Sequence, residues 1–191
     1  MMLRATGVVL AGGKSRRMGR DKAMLPFRGH PLLEHMLDLL AQGGADSRLV
    51  SGQYAGYACI PDVCADGGPI AGIHAVAASL PGRRLLFVPI DMPLLDAALI
   101  RRLLTEAPDA LGVRFEDYAL PMRLDATAFV RDRLQAAVRE TGRRRSVRAF
   151  QAAVGTESLP LGAEDAAAMS NCNTPEEWDG LARTPAQLRT P

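Results

Sequence analysis

The chain has 191 residues, of which 48% are apolar, 23% charged and 5% aromatic, and its formal net charge is +2. This length and apolar content suit one domain with a hydrophobic core. So small a net charge gives no ground for nucleic-acid binding.

The cysteines and the hydropathy exclude further classes. Cys59, Cys64 and Cys172 form no CxxC pair, so neither a disulfide framework nor a zinc site is predicted. The N-terminus has no signal-peptide pattern, and no apolar run reaches the ~18 residues of a membrane span. We therefore expect a cytoplasmic protein with no membrane and no nucleic-acid partner.

Apolar periodicity predicts strands that alternate with helices. The β-branched run 6–10 ends at glycines and predicts a buried strand, and the continuous apolar run 85–90 predicts a central strand. Shorter strands are predicted at residues 48–50, 57–60, 110–115, 118–124 and 157–161, the third and fourth of these pairing around Glu116 and Asp117. Helices are predicted at residues 31–41, 69–80, 97–107, 127–140 and 147–153, and a further helix start at Thr174.

This alternation predicts an α/β fold, a single-domain, three-layer Rossmann-like arrangement with a mostly parallel central sheet flanked by helices. The domain is expected to span residues 1–182, and the polar tail 183–191 is expected to be disordered. Ligands of open α/β sheets bind beyond the carboxyl ends of strands. The segments that follow Leu10 and Ile90 are therefore the candidate sites.

The segment LAGGKSRRMGRDKA, residues 10–23, has the composition of an anion-binding loop. It lacks the first glycine of a P-loop, and its adjacent Gly12 and Gly13 do not match G-x-G-x-x-G. Glycines still let backbone amides approach a phosphate closely. Three side chains can add charge-assisted hydrogen bonds: Arg16, Arg17 and Lys22. A solvated basic turn is the alternative interpretation.

At these residues the sequence resembles a known family. The segments LAGG (10–13), RMG (17–19) and DK (21–22) look like the signature loop of nucleotidyltransferases. The resemblance is strongest to the molybdenum cofactor guanylyltransferases of the MobA type, because it continues through GHPLLEH (29–35), GPIAG (68–72), PIDMP (89–93) and NCNTPEE (171–177). It covers about residues 6–182.

The resemblance implies a nucleotidyltransferase fold, Mg²⁺ as cofactor, and transfer of GMP from GTP to Mo-molybdopterin with release of pyrophosphate. The implied partners are GTP, Mo-molybdopterin, and proteins that deliver molybdopterin or receive the finished cofactor. Three other functions stay open: a molybdopterin cytidylyltransferase, a nucleotidyltransferase for another small phosphate, and a non-catalytic GTP-binding accessory protein.

The resemblance also implies roles for single residues. Arg17, Lys22 and Asp91 are the expected catalytic residues, of which Asp91 also holds Mg²⁺ and contacts the nucleotide. Asn173 is a second candidate metal ligand. The expected nucleotide contacts are Leu10, Ala11, Gly12, Gly13, Lys22, Ser51, Asp62 and Asp91. An N-cap role for Asp91 and loop hydrogen bonding by Asn173 are the alternatives.

Some of these assignments carry alternatives of their own. Asp66 is a rival to Asp62, because this loop is one residue shorter than in the family. Ser51 occupies a position that is often asparagine in the family, and its shorter side chain reaches less far toward a base. His35 is predicted to pack or cap rather than to bind a ligand.

A second basic cluster, Arg143, Arg144 and Arg145, follows the predicted helix 127–140. A solvated helix end is the usual explanation of such a run. The corresponding family segment is also arginine-rich, so the resemblance implies a cradle for the anionic phosphate and dithiolene of the second substrate.

Overall fold

The computed structural model describes residues 4–12, 21–62, 67–174 and 177–178. The strands are β1 (Ala5–Leu10), β2 (Pro26–Phe27), β3 (His30–Pro31), β4 (Ser47–Ser51), β5 (Cys59–Ile60), β6 (Arg84–Pro89), β7 (Gly112–Phe115), β8 (Met122–Asp125) and β9 (Glu157–Leu159). The helices are α1 (Leu32–Gln42), α2 (Pro69–Ser79), α3 (Ala97–Thr105), α4 (Ala128–Arg139) and α5 (Val147–Val154).

One seven-stranded sheet has the order β5-β4-β1-β6-β8-β7-β9, and β2 pairs with β3 in a separate hairpin. The strand β8 runs antiparallel to both neighbours, and the other strands of the sheet run parallel to one another. The α/β class and the mostly parallel sheet are thus confirmed. So is the pairing of β7 with β8, although β8 begins at Met122 rather than at residue 118.

The sheet has a hydrophobic core on each face, which confirms the three layers. All six residues of β1 are buried, and alternate side chains enter opposite cores, Val9 on the side of α1 and α3 and Val8 on the side of α2, α4 and α5. Residues 85–88 of β6 are likewise buried with alternate side chains in the two cores, and this double burial explains why both strands are largely apolar.

Three of the five described helices, α3, α4 and α5, begin at residues whose side chains accept backbone N–H groups. Asp96 accepts from Leu99 N at 2.9 Å, and Thr127 and Ser146 cap α4 and α5 in the same way. At the predicted helix start, Thr174 Oγ1 accepts from Glu177 N and Glu177 Oε2 accepts from Thr174 N, a capping box. The limits 1–182 and 183–191 remain predictions, because much of the chain after residue 174 lies outside the described ranges.

The reversed strand β8 determines the direction of α4. Asp125, the last residue of β8, pairs with Arg84, the first residue of β6, so α4 starts at the edge where the parallel strands begin. Since α4 packs along α2 on one face of the sheet, it runs back toward the edge where β6 ends. The arginines that follow α4 therefore lie at that second edge.

The edge where the parallel strands begin holds a buried ion pair. Arg84 donates from Nε and Nη2 to the two carboxylate oxygens of Asp125, both at 2.8 Å, and from Nη2 to Pro108 O at 2.7 Å. Beside it lies the fully buried Arg123, whose guanidinium donates to three carbonyls in the segment that follows α3, those of Glu106, Ala107 and Ala110.

No helix among the described residues is long and apolar enough to cross a bilayer.

Candidate functional site

The carboxyl ends of β1, β4 and β6 meet at one edge of the sheet. Leu10 pairs with Ser51 on one side and with Pro89 on the other. Two backbone bonds continue this alignment past the strand ends, from Ala11 N to Ser51 O at 3.1 Å and from Ile90 N to Leu10 O at 3.2 Å. The start of the glycine-rich segment and the PIDMP segment are thereby adjacent, as the positions of the strand ends predict.

The Asp62 carboxylate lies between the glycine-rich segment and α2. It accepts a 2.9 Å hydrogen bond from the hydroxyl of Ser51, whose side chain is buried. A Cβ at Gly12 would collide with Asp62 Oδ2, and a Cβ at Gly72 would collide with Ser51 Oγ and lie 3.0 Å from Asp62 Oδ1. Gly12 thus leaves room for the Asp62 carboxylate, and Gly72 leaves room for the Ser51 hydroxyl that donates to it.

Lys22 is buried, with 7% of its surface exposed, and it lies in a short 3₁₀ turn, Lys22–Met24, that Asp21 caps. Its ammonium donates to Cys172 O at 2.6 Å and to Asn173 Oδ1 at 3.0 Å. Cys172 N in turn donates to Asp91 O at 2.7 Å. The structure therefore brings Lys22, Asp91 and Asn173 together, although they are far apart in sequence.

Asn173 is held by its backbone as well as by its side chain. Asn173 N donates to Glu177 Oε2 at 2.6 Å, and Thr174 N donates to the same oxygen at 2.9 Å. These two backbone donors hold the pKa of Glu177 below its usual value. Burial raises the pKa of the neighbouring Cys172 thiol, which favours its neutral form. The segment 172–174 is therefore anchored at several atoms.

The oxygen donors at this edge suit a hard divalent cation. Asp91 is half-buried and Asn173 is exposed, so both carry oxygens that lie near solvent. In the described ranges no group of three or more histidine, cysteine, aspartate or glutamate side chains forms a closed metal cage. Such a sparse donor set fits Mg²⁺, which is held by one or two protein oxygens together with substrate phosphates.

The second basic cluster lies at the same edge of the sheet. Arg143 and Arg144 are exposed and Arg145 is partly buried, just beyond the end of α4. Burial, and then the positive charge of Arg139 in the last turn of α4, lower the pKa of His74 in α2. The last turn of α4 thus lies within electrostatic range of the middle of α2.

Four of the candidate site residues lie outside the described residues: Gly13, Arg16, Arg17 and the rival Asp66. His35 packs as expected, because its ring lies 4.7 Å from the ring of Phe27 and its Nε2 is 3.1 Å from Pro93 O. Tyr54, which no motif had indicated, contacts the site through Ala11 O and Asp21 Oδ1.

The family model of the MobA-like NTP transferase domain matches residues 7–155. The molybdenum cofactor guanylyltransferase of Xanthomonas euvesicatoria pv. vesicatoria is 46% identical over 92% of this chain and 93% of its own length, and that of Rhodobacter capsulatus is 33% identical over 98% of both.

Solved structures agree in fold. Molybdopterin-guanine dinucleotide biosynthesis protein A from Archaeoglobus fulgidus has a TM-score of 0.73 at 21% identity, over 93% of this chain and 96% of that one. A Mycobacterium tuberculosis protein solved in complex with manganese has a TM-score of 0.65 at 21% identity, over 96% of this chain and 100% of that one. The matching model and the relatives that align along nearly the whole length place this chain in the MobA-like NTP transferase family.

Proposed function

We propose that the protein transfers GMP from GTP to the terminal phosphate of Mo-molybdopterin and releases pyrophosphate. The observation that carries this proposal is the joint anchoring of Lys22, Asp91 and Asn173 at the edge that also holds the glycine-rich segment. The nature of the second substrate follows the guanylyltransferase relatives, which align over nearly the whole chain.

The nucleotide would lie against the ends of β1 and β4. Gly12 is exposed and carries no side chain, so a base or ribose could approach the main chain of residues 10–13 closely. The Asp62 carboxylate, which accepts from the Ser51 hydroxyl and lies beside Gly12, would serve as the acceptor for a ribose hydroxyl or a guanine amine. In this arrangement Ser51 acts on the nucleotide through Asp62.

The chemistry needs charge neutralisation more than proton transfer. The acceptor phosphate of the pterin is already a nucleophile, so catalysis consists of aligning it with the α-phosphate and stabilising the departing pyrophosphate. Lys22 is the described cation suited to this task, because burial keeps its ammonium at a fixed position. Arg17 has the same proposed role.

The oxygen atoms of Asp91 and Asn173 would hold Mg²⁺. When bound, the ion neutralises phosphate oxygens and orients them, as in other phosphoryl-type transfers. Asn173 Oδ1 accepts from the Lys22 ammonium at 3.0 Å, and the second lone pair of this amide oxygen would remain for the cation. Manganese in one structural neighbour agrees with a divalent ion of this kind.

The second substrate would approach from α4. Its phosphate and dithiolene are anionic, and the exposed Arg143 and Arg144 supply positive charge at the correct edge of the sheet. Arg145 completes the proposed cradle. Replacing Arg143 and Arg144 together should raise the KM for Mo-molybdopterin and leave the KM for GTP unchanged.

The decisive experiment measures pyrophosphate release with each of the four nucleoside triphosphates, with and without Mo-molybdopterin. Release that requires both GTP and the pterin is expected. A preference for CTP would indicate the cytidylyltransferase, release without the pterin another small-phosphate transferase, and GTP binding without release an accessory protein.

Variants then test the assigned residues. Lys22→Met and Asp91→Asn should each lower kcat by about 10²–10³-fold, the usual cost of one preorganised charge contact, with unchanged circular dichroism. The control is Asp109→Asn, an exposed carboxylate beside the Arg84 ion pair at the opposite edge of the sheet. Near-normal turnover of either site variant would refute its role.

A further inference from the structure

We propose that Tyr54 is a positioning residue for nucleotide binding, which holds together the two ends of the glycine-rich segment. This proposal rests on the proposed function, because it assigns Tyr54 a task at that same nucleotide site. No family motif quoted above includes this residue.

The Tyr54 hydroxyl lies between the two ends of the segment. It donates to Ala11 O, which follows β1, at 3.1 Å and to Asp21 Oδ1 at 3.2 Å. A phenol has one hydrogen to donate, so the two oxygens share it in a three-centre hydrogen bond. The same Asp21 oxygen accepts from Ala23 N at 3.1 Å. Tyr54 thereby connects the end of β1 with the turn that carries Lys22.

The backbone and the ring of Tyr54 are themselves held in place. Tyr54 N donates to Cys59 Sγ and Cys59 Sγ donates to Tyr54 O, both at 3.4 Å, which ties the residue to β5. Gly52 has φ +143, and a Cβ there would lie 3.1 Å from Tyr54 Cε2 and 3.5 Å from Gly12 N. The Tyr54 ring and the Gly12 amide thus both border the space beside Gly52, and a side chain at that position would crowd both.

Burial, and then the negative charge of Asp21, raise the pKa of Tyr54 far above its usual value. The phenol therefore keeps its proton at every pH at which the enzyme would work. A permanent donor at this position holds the distance between Ala11 and Asp21, and with it the position from which Lys22 reaches a phosphate.

The test compares Tyr54→Phe with Tyr57→Phe. The Tyr57 hydroxyl donates to Glu34 Oε1 at 3.0 Å, so the control also loses one phenol–carboxylate hydrogen bond, but on α1 and away from the glycine segment. For each variant we would measure the dissociation constant of GTP by calorimetry, kcat and KM in the pyrophosphate assay, and the urea midpoint of unfolding.

Tyr54→Phe should weaken GTP binding and raise the KM for GTP by about five- to tenfold, the usual effect of one lost intramolecular hydrogen bond. Its kcat should stay within about twofold of the wild type, and Tyr57→Phe should leave both constants unchanged. A GTP affinity equal in the two variants, or a loss in Tyr54→Phe that appears only as a lower urea midpoint, would overturn the proposal.

The outcome for Tyr54 can be separated from that for the proposed function. The wild-type protein is first titrated with all four nucleoside triphosphates. If it prefers one other than GTP, guanylyl transfer is wrong, and the comparison of Tyr54→Phe with Tyr57→Phe is made with the preferred nucleotide. If it binds none, both proposals are wrong.

Discussion

Replacing Gly72 by alanine sets two effects of opposite sign against each other. Gly72 lies inside α2, where alanine is favoured over glycine by about 0.8–1 kcal/mol of helix propensity. The new Cβ, however, would collide with Ser51 Oγ and lie 3.0 Å from Asp62 Oδ1. The surroundings are buried, so the methyl group has to displace one of these two side chains.

The displacement should outweigh the propensity. Overpacking of a buried site costs about 1–3 kcal/mol, and loss of the hydrogen bond from Ser51 to the Asp62 carboxylate costs about 1.5–3 kcal/mol. The two costs overlap, because moving one side chain relieves the other. After the gain in propensity, we expect a net loss of about 1–2 kcal/mol, which lowers the melting temperature by roughly 2–8 °C for a chain of this size.

Gly72→Ala should also raise the KM for GTP, because Asp62 would no longer point toward the nucleotide. Urea unfolding measures the stability, and the pyrophosphate assay measures kcat and KM. The control is Ala78→Gly at an exposed position of the same helix, which should lose about 1 kcal/mol of propensity and leave the KM unchanged. A Gly72→Ala protein that is more stable than the wild type and binds GTP normally would refute the reasoning.

Two further predictions concern stability. Arg84→Met leaves the buried Asp125 carboxylate without its partner, so the free energy of unfolding should fall by about 3–5 kcal/mol. The KM for GTP should not change, because the pair lies at the opposite edge of the sheet. A free energy of unfolding within 1 kcal/mol of the wild type, which is about a fivefold change in the folding equilibrium, would contradict this. Burial lowers the pKa of His35 from 6.5, so the unfolded chain takes up the proton first as the pH falls. The stability that the neutral ring provides is fully present above pH 6.5, and it is lost as the pH falls from there through the lowered pKa of the folded state. Urea unfolding at several pH values should show this loss. His35→Phe should reduce it and leave the part due to His74, whose pKa is also lowered.

Much of the fold followed from periodicity and from the residues at element ends. The runs 6–10 and 85–90 are mostly apolar because both faces of their strands are covered, and this feature is visible in the sequence. The direction of β8 was not predictable in this way, because period-two alternation is the same in parallel and antiparallel strands. The hairpin of β2 and β3 was missed because a pair of two-residue strands has no measurable period.

The site was predictable only where a motif names its residues. The motif GPIAG contains Gly72, but the reason for that glycine, the room it leaves for Asp62 and Ser51, needs three-dimensional distances. Tyr54 has no such signal, since it is one aromatic residue in a loop, and its partners, a backbone carbonyl and a carboxylate, lie more than thirty positions away in the sequence. Arg123 was missed for another reason: a fully buried arginine in a strand contradicts the usual location of charge, and its acceptors are carbonyls.

The contacts of Lys22 span 150 and 151 positions of the chain. During synthesis the N-terminal strand and the glycine-rich segment leave the ribosome long before Cys172 and Asn173 exist. Until those residues emerge, the ammonium of Lys22 lacks the oxygens that hold it in the folded protein. Unfinished chains therefore carry the glycine-rich segment without a fixed ammonium, and the proposed contact of Lys22 with a triphosphate can be made from its folded position only after residues 172 and 173 have been synthesised.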